Sequence, residues 1–253
     1  MKYSFFLTAL VSVVLFSSSL YAQDNLNQAS GYFEVTTTSS EILGQELSQT
    51  YEKILNPDEE IKWAYYVPKG YDATKPQGIM VYVTQNNLAK MPFGWESAMN
   101  DKNLIWISLH KTRRMVQNKD VLLTVLAAQF IQNRYNVNSD RIYTVGQADG
   151  CFSSSAAMQM YPDVFKGAIY STCQPINWRS DTPDTIEKMR ENRYYFISSS
   201  ENDIKQAMRR SLGKYKDAGI DNVEYLLVPK LRYGRNPDRR KLKKAIDYLD
   251  TRD

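Results

Sequence analysis

The sequence predicts an α/β fold in which a mostly parallel sheet carries helices on both faces. Short runs rich in β-branched and aromatic residues alternate along the chain with stretches whose apolar residues recur at helical spacing. Several of the short runs are almost continuously apolar, which is typical of strands covered on both faces. Alternating strands and helices form βαβ units, and such units build parallel sheets.

Eight segments have the length and composition of strands. The runs at 79–84 (IMVYVT) and 104–109 (LIWISL) contain no charged residue, and the run at 141–145 (RIYTV) stops at Gly146. Turn residues end others, such as the Pro68-Lys69-Gly70 segment after residues 61–67. The predicted strands cover residues 33–37, 61–67, 79–84, 104–109, 141–145, 167–172, 194–198 and 223–228.

Helical spacing of apolar residues predicts four helices between these strands. The first has Asp120 as its expected N-cap, and the third stops before Gly219. Residues 41–55 have helical spacing, but Gly44 and the polar content leave that segment ambiguous. The predicted helices cover residues 120–135, 152–161, 203–218 and 238–250.

The first 22 residues have the pattern of a secretory signal peptide. Lys2 precedes an apolar run at 5–16, and residues 20–22 (LYA) form a cleavage site. The apolar run is shorter than the roughly 20 residues that a membrane span needs. We therefore expect a secreted or periplasmic protein with one domain over residues 23–253 and no membrane span after cleavage.

Charge and motif content exclude several classes of function. The formal net charge is +4, and removing Lys2 with the signal peptide leaves 4 − 1 = +3, which is too small to indicate a nucleic-acid partner. The basic residues of 239–244 are expected on the solvated face of the last helix. The chain has no Cys/His metal spacing, no phosphate-binding glycine loop and no dinucleotide fingerprint. We therefore predict neither a metal nor a cofactor, and the sequence leaves the oligomeric state open.

The segment Gly146-Gln147-Ala148-Asp149-Gly150 connects a predicted strand to a predicted helix. A strand, a sharp turn between small residues and a helix resemble the nucleophile elbow of α/β hydrolases, where a G-x-S-x-G turn exposes a serine. The middle position here is Ala148. A methyl group cannot attack a carbonyl.

Other segments extend this resemblance over roughly residues 60–250. They are YYVP at 65–68, the run from Asn138 to Tyr143 before the elbow, and YPDVF at 161–165 after it. In order and spacing they resemble secreted esterases related to polyhydroxybutyrate depolymerases and feruloyl esterases. The resemblance implies a three-layer α/β-hydrolase fold and, where the site is intact, carboxylic ester hydrolysis.

The resemblance also implies an acid after the strand at 194–198 and a histidine after the strand at 223–228. Spacing places Asn202 at the acid position, with Asp203 or Glu201 available after a small register shift. The loop after the last strand contains no histidine and has Tyr233 instead. The degenerate positions Ala148, Asn202 and Tyr233 predict a protein with no catalytic residues.

Two alternatives remain open. The first is an active ester hydrolase with a rearranged site, in which Asp149 or a nearby serine is the nucleophile and works with Asp203 and His110, the only histidine of the chain. Asn86 lies near the position where the family places an oxyanion donor. The second alternative is a structural envelope or interaction protein whose ancestral crevice is filled by side chains.

The chain has two cysteines, Cys151 and Cys173. Because an exported protein folds in an oxidising compartment, we predict a disulfide between them. The alternative is a pair of buried free thiols. Cys151 lies three residues beyond the elbow position and is expected to point away from the crevice.

Basic residues follow two of the predicted strands. Arg113 and Arg114 come after the strand at 104–109, and Arg232 and Arg235 come after the strand at 223–228. Ligands of such folds bind outside the carboxyl ends of the strands, and guanidinium groups match carboxylate and phosphate. Our hypothesis is that the crevice binds an anionic small molecule or saccharide. The alternative is that these are solvated loop charges.

Overall fold

The computed structural model describes residues 30–84, 86–110, 117–173 and 182–251. The predicted signal peptide therefore lies outside the described residues, as do Arg113 and Arg114. No helix within the described ranges is long and apolar enough to cross a membrane. The strands are β1 Gly31–Thr37, β2 Ile61–Val67, β3 Gln77–Val83, β4 Leu104–Leu109, β5 Val137–Gln147, β6 Gly167–Ser171, β7 Arg193–Ser199 and β8 Val223–Val228. The helices are α1 Ser39–Leu43, α2 Gln45–Gln49, α3 Trp95–Lys102, α4 Gln117–Gln132, α5 Gly150–Met160, α6 Pro183–Glu191, α7 Asn202–Asp217 and α8 Arg239–Asp250.

The eight strands form one sheet in the order β1-β2-β4-β3-β5-β6-β7-β8. Strand β2 is antiparallel to both of its neighbours, and the other neighbouring pairs are parallel. From β3 the chain passes to β4 on one side and then returns to β5 on the other side. The strand order thus reverses beside β3 and β5, and ligands of open α/β sheets bind in the crevice that such a reversal leaves.

Both faces of the sheet are covered by helices, as the near-continuous apolar strands predict. On one face Ile79 and Val81 pack with residues of α4, α5 and α7. On the other face Met80 and Tyr82 pack with Trp95 of α3 and with α8. The predicted three-layer α/β architecture is confirmed.

Local interactions explain where the last helix, α8, begins and which of its faces is buried. Asp238 caps its first turn by accepting a hydrogen bond from Lys241 N at 3.0 Å. Its apolar residues Leu242, Ala245, Ile246 and Leu249 are buried, while basic residues occupy the opposite side. Helix α7 ends before Gly219, whose φ of +72° is the left-handed conformation that glycine adopts readily.

Some predicted elements differ from the observed ones. Helix α4 begins at Gln117, so Asp120 lies in its first turn and is not the N-cap that we predicted. The ambiguous segment 41–55 contains the short helices α1 and α2, which are separated by Gly44 at φ +83°. Helices α3 and α6 were not predicted, because both are short and α6 buries only Met189.

Cys151 and Cys173 form the predicted disulfide, across 22 positions of sequence. The bond joins the first turn of α5 to Cys173, two positions beyond the end of β6, and both cysteines are buried. It therefore ties together the two chain segments that leave the neighbouring strands β5 and β6.

We expect the double substitution Cys151→Ala/Cys173→Ala to lower the free energy of unfolding by roughly 3 kcal/mol, because the unfolded chain regains the freedom of a closed loop. Urea unfolding of the oxidised native protein and the double variant measures this difference. Equal midpoints and slopes for the two proteins would contradict the expectation. The native protein with reductant is the control, and it should approach the variant.

Candidate active-site elbow

Ala148 holds the backbone conformation of a nucleophile elbow without a nucleophile. Its φ is +51°, in the left-handed region that side-chain-bearing residues rarely enter and that costs about 1–2 kcal/mol. The turn is held by a hydrogen bond from Ala148 N to the Ser171 carbonyl (3.1 Å) and by one from Cys151 N to the Ala148 carbonyl (3.2 Å). Strained backbone of this kind is typical of functional sites, and here it is retained beneath a methyl group.

The two glycines of the elbow are required by close packing. A Cβ on Gly146 would lie 2.6 Å from Cys151 Cα, where α5 turns back against β5. A Cβ on Gly150 would lie 2.1 Å from the Val83 carbonyl oxygen. The G-x-x-x-G spacing therefore reflects the approach of α5 to the ends of both β5 and β3.

The loop after β8 (residues 229–238, here called the final loop) crosses above the elbow. Near its start, Ser200 Oγ donates to the Pro229 carbonyl at 2.7 Å. Near its end, Asn236 Oδ1 lies 2.9 Å from the Tyr82 hydroxyl, and Trp95 Nε1 donates to the Pro237 carbonyl at 2.9 Å. Because Tyr82 belongs to β3, the loop spans the strand ends from β8 to β3.

Tyr233, which stands where the resemblance implies a histidine, lies directly over the elbow. Its hydroxyl donates to Asp149 Oδ1 at 2.5 Å. Partial burial and the neighbouring Asp149 carboxylate raise the pKa of the Tyr233 phenol well above its usual range. The phenol therefore stays protonated at neutral pH and acts as a donor, so it cannot serve as a general base. Ala148, the neighbour of Asp149 in the elbow, is only 1% exposed.

Of the three residues considered for the acid position, Glu201 is the one with a hydrogen bond to the final loop. Its Oε2 accepts a hydrogen bond from Tyr233 N at 2.9 Å. Asn202, which spacing placed at the acid position, instead accepts from Gln206 Nε2 at 3.3 Å along α7. Asp203 is exposed in the first turn of α7. The acidic residue that meets the final loop therefore lies one position before the predicted one. The reason is that α7 begins at Asn202, so Asn202 is directed along the helix and Glu201 precedes it.

His110 makes its contacts elsewhere. Its Nδ1 accepts a hydrogen bond from Ala89 N at 3.3 Å, and its Nε2 lies 3.5 Å from Glu34 Oε1. Strand β3 separates its strand, β4, from the elbow strand, β5. The described contacts thus do not bring His110, Asp149 and Asp203 together, and Asp149 is engaged by Tyr233.

A buried polar group beside the elbow was not anticipated. Gln147 Oε1 lies 3.0 Å from the Tyr82 hydroxyl and 3.1 Å from Thr84 Oγ1, and Thr84 Oγ1 in turn accepts from Asn86 N at 3.3 Å. Together with Asn236 these groups join β3, β5 and the final loop. Gln147 ends β5 and Thr84 directly follows β3, and polar residues at adjacent strand ends are the sequence signal that indicates such a group. Asn236 lies 154 positions from Tyr82 in the sequence, so its part in the group has no local signal.

Arg232 and Arg235 lie on a tight turn of the final loop. Arg235 N donates to the Arg232 carbonyl at 3.0 Å, and Gly234 has the φ of +71° that the third position of a type II turn requires. Both side chains are exposed, and neither forms an ion pair with a described residue. Among the described residues, no group of three His, Cys, Asp or Glu side chains is placed to hold a metal ion.

Comparison with solved structures agrees with this architecture. A feruloyl esterase module from Clostridium thermocellum, complexed with sinapinate, superposes with a TM-score of 0.60 at 13% identity, covering 90% of this chain and 92% of that one. Fungal esterases from Rhizomucor miehei give a TM-score of 0.60 at 10% identity, covering 96% and 90%. Dipeptidyl peptidase 4 of Porphyromonas gingivalis gives a TM-score of 0.59 at 13% identity and covers 88% of this chain.

The chain therefore has the α/β-hydrolase fold, as predicted from the elbow and its flanking segments. It spans only 36% of the length of a putative dipeptidyl aminopeptidase IV from Bacteroides ovatus, 35% of the Porphyromonas gingivalis enzyme and 55% of a thermostable esterase. No family model matches the sequence. No curated protein matches it either.

We expect Gly150→Ala to destabilise the protein by about 3 kcal/mol or more, because the new methyl group would meet backbone that cannot yield. Gly213→Ala in α7 is the matched control. Nothing lies within 4 Å of its Cβ position, and alanine should stabilise the helix by about 0.5–1 kcal/mol. Thermal unfolding of both variants tests the pair, and similar shifts for the two would contradict the packing argument.

Proposed function

We propose that this protein is an exported, catalytically inactive α/β-hydrolase-fold protein that binds an anionic small molecule or saccharide at the carboxyl end of its sheet. The observation that carries the proposal is Ala148 at the centre of the elbow, in the left-handed conformation and next to Asp149, which Tyr233 engages. The elbow is formed, but its central position presents no group that can attack a substrate.

Inactivity follows from the chemistry of three positions. Ala148 offers no nucleophile, and Tyr233 offers a proton donor where acyl transfer needs an acceptor. Glu201, which could orient an imidazole, instead accepts from the backbone N–H of Tyr233. Tyr233 and Glu201 thus hold the final loop in position and do not form part of a catalytic triad.

The positive charge of the final loop supports ligand binding. The exposed guanidinium groups of Arg232 and Arg235 have no described carboxylate partner, whereas the nearby carboxylates of Asp149 and Glu201 accept hydrogen bonds from Tyr233. Arg113 and Arg114 follow β4 in the sequence and would add charge to the same edge of the sheet. Planar guanidinium groups favour carboxylate or phosphate, so we propose an acidic ligand.

Export is supported by the signal-peptide pattern at 1–22 and by the disulfide between Cys151 and Cys173. Disulfides persist in oxidising compartments.

We expect neither the native protein nor Ala148→Ser to react with an activated fluorophosphonate. A serine introduced at this position would lack a base, because the protonated Tyr233 phenol cannot take its proton. Intact mass after incubation measures the adduct, with an active serine esterase as the positive control. An adduct on the native protein would contradict the proposed inactivity. An adduct that forms only with the Ala148→Ser variant, at the introduced hydroxyl, would reveal a base close to the elbow.

We expect Arg232→Ala/Arg235→Ala to weaken binding to an acidic oligosaccharide about tenfold or more, because each lost charge-assisted contact contributes about 1.5–3 kcal/mol. The matched control is Arg209→Ala/Arg210→Ala, which removes the same charge from exposed positions on α7. Calorimetric titration with oligogalacturonate as the probe, and with its neutral methyl ester as comparison, measures the effect. Equal loss in both double variants would indicate only a general charge effect.

A further inference from the structure

Exposed apolar side chains concentrate at one place on the described surface. Five large hydrophobic residues are exposed in the part of the chain that the structure describes, and three of them belong to the segment 86–94 or touch it: Leu88 (71% exposed), Phe93 (103%) and Tyr32 (47%). Tyr32 belongs to the group because its hydroxyl accepts a hydrogen bond from Met91 N at 2.8 Å. Scattered apolar residues are ordinary on a protein surface, but a group that includes a fully exposed phenylalanine indicates an interaction site.

The segment 86–94 is anchored, so the exposure of Phe93 and Leu88 is built into the fold. Ala89 and Met91 are buried among Trp95, Trp106 and other residues of the layer below. Ala89 N donates to His110 Nδ1 at 3.3 Å, and Met91 N donates to the Tyr32 hydroxyl. Because positions 89 and 91 face inward, Leu88 and Lys90 face solvent. The only histidine of the chain therefore supports this surface.

The surroundings of the segment carry unpaired positive charge. Lys90 is exposed and has no described partner. The start of α8 lies beside Phe93, since Arg239 Cβ is 3.8 Å from the Cβ position of Gly94, and the adjacent Arg240 is exposed.

Two of the nearby carboxylates pair with lysines, Glu96 with Lys69 at 2.9 Å and Asp238 with Lys241. Glu34 lies 3.5 Å from the imidazole of His110, which is charged only when protonated. The basic residues Lys90, Arg239 and Arg240 therefore outnumber Glu34 around the apolar group.

We propose that the segment 86–94 docks this protein onto an anionic phospholipid surface. Leu88 and Phe93 enter the boundary between headgroups and acyl chains, and Lys90, Arg239 and Arg240 contact the phosphates. Apolar side chains in the interface combined with basic residues are what binding to anionic lipid requires, with about 1 kcal/mol for each basic residue near the surface. Projecting side chains need no preformed pocket in a lipid surface, whereas a protein partner would have to supply one.

The test uses the chain from Gln23 onward, so that the apolar run at 5–16 cannot itself bind lipid. Vesicles of phosphatidylglycerol and phosphatidylcholine in equal parts are compared with vesicles of phosphatidylcholine alone by co-sedimentation. We expect the native protein to bind the anionic vesicles and to be released by salt. Leu88→Ser/Phe93→Ser should bind these vesicles at least about tenfold more weakly than the native protein, because it removes the apolar area that enters the membrane.

Ile54→Ser/Leu227→Ser is the matched control, since it removes two exposed apolar side chains elsewhere and should bind like the native protein. Phe93→Trp should show a blue-shifted emission on the anionic vesicles only. Failure of the native protein to bind, or equal binding by both double variants, would overturn the proposal. So would a self-association that Leu88→Ser/Phe93→Ser abolishes while lipid binding is absent, because the surface would then contact a second copy of the chain.

Discussion

The close approach of α5 to the ends of β3 and β5 is the constraint on which the rest of the site depends. Gly150 packs against the Val83 carbonyl and Gly146 packs against the backbone of Cys151, at distances that leave no room for a side chain. This contact forces the chain to reverse sharply after β5, and the reversal places Ala148 in the left-handed conformation. The disulfide from Cys151 to Cys173 then fixes the same turn to the end of β6.

A hydrolase uses such a turn to expose its nucleophile, whereas here the turn supports the final loop. Tyr233, Asn236 and Pro237 of that loop form hydrogen bonds with Asp149, Tyr82 and Trp95. A phenol whose pKa is raised by burial and by Asp149 is well suited to that structural use, because it stays a donor across the physiological range. One fold can therefore carry different side chains at its elbow, because function belongs to the site and not to the scaffold.

The carboxyl edge of the sheet presents two surfaces of different chemistry. The turn at Arg232–Arg235 is polar and basic, whereas the anchored segment with Leu88 and Phe93 is apolar with a basic surround. They are linked through the final loop, because Trp95, which follows the segment, donates to Pro237. A protein that holds an acidic ligand at a membrane surface would use both.

The sequence by itself determined the architecture and the alanine at the centre of the elbow. The strands at 61–67, 104–109 and 223–228 were predicted to the residue, because their apolar runs are bounded by turn residues and a buried strand needs no distant information. Position 148 was assigned from its flanking glycines for the same local reason. Only the tertiary structure decided that Glu201, and not Asn202, meets the final loop, that Asn236 reaches Tyr82, and that His110 supports Ala89. Loop side chains take their direction from turn geometry and from partners far away in sequence, and no local pattern contains either.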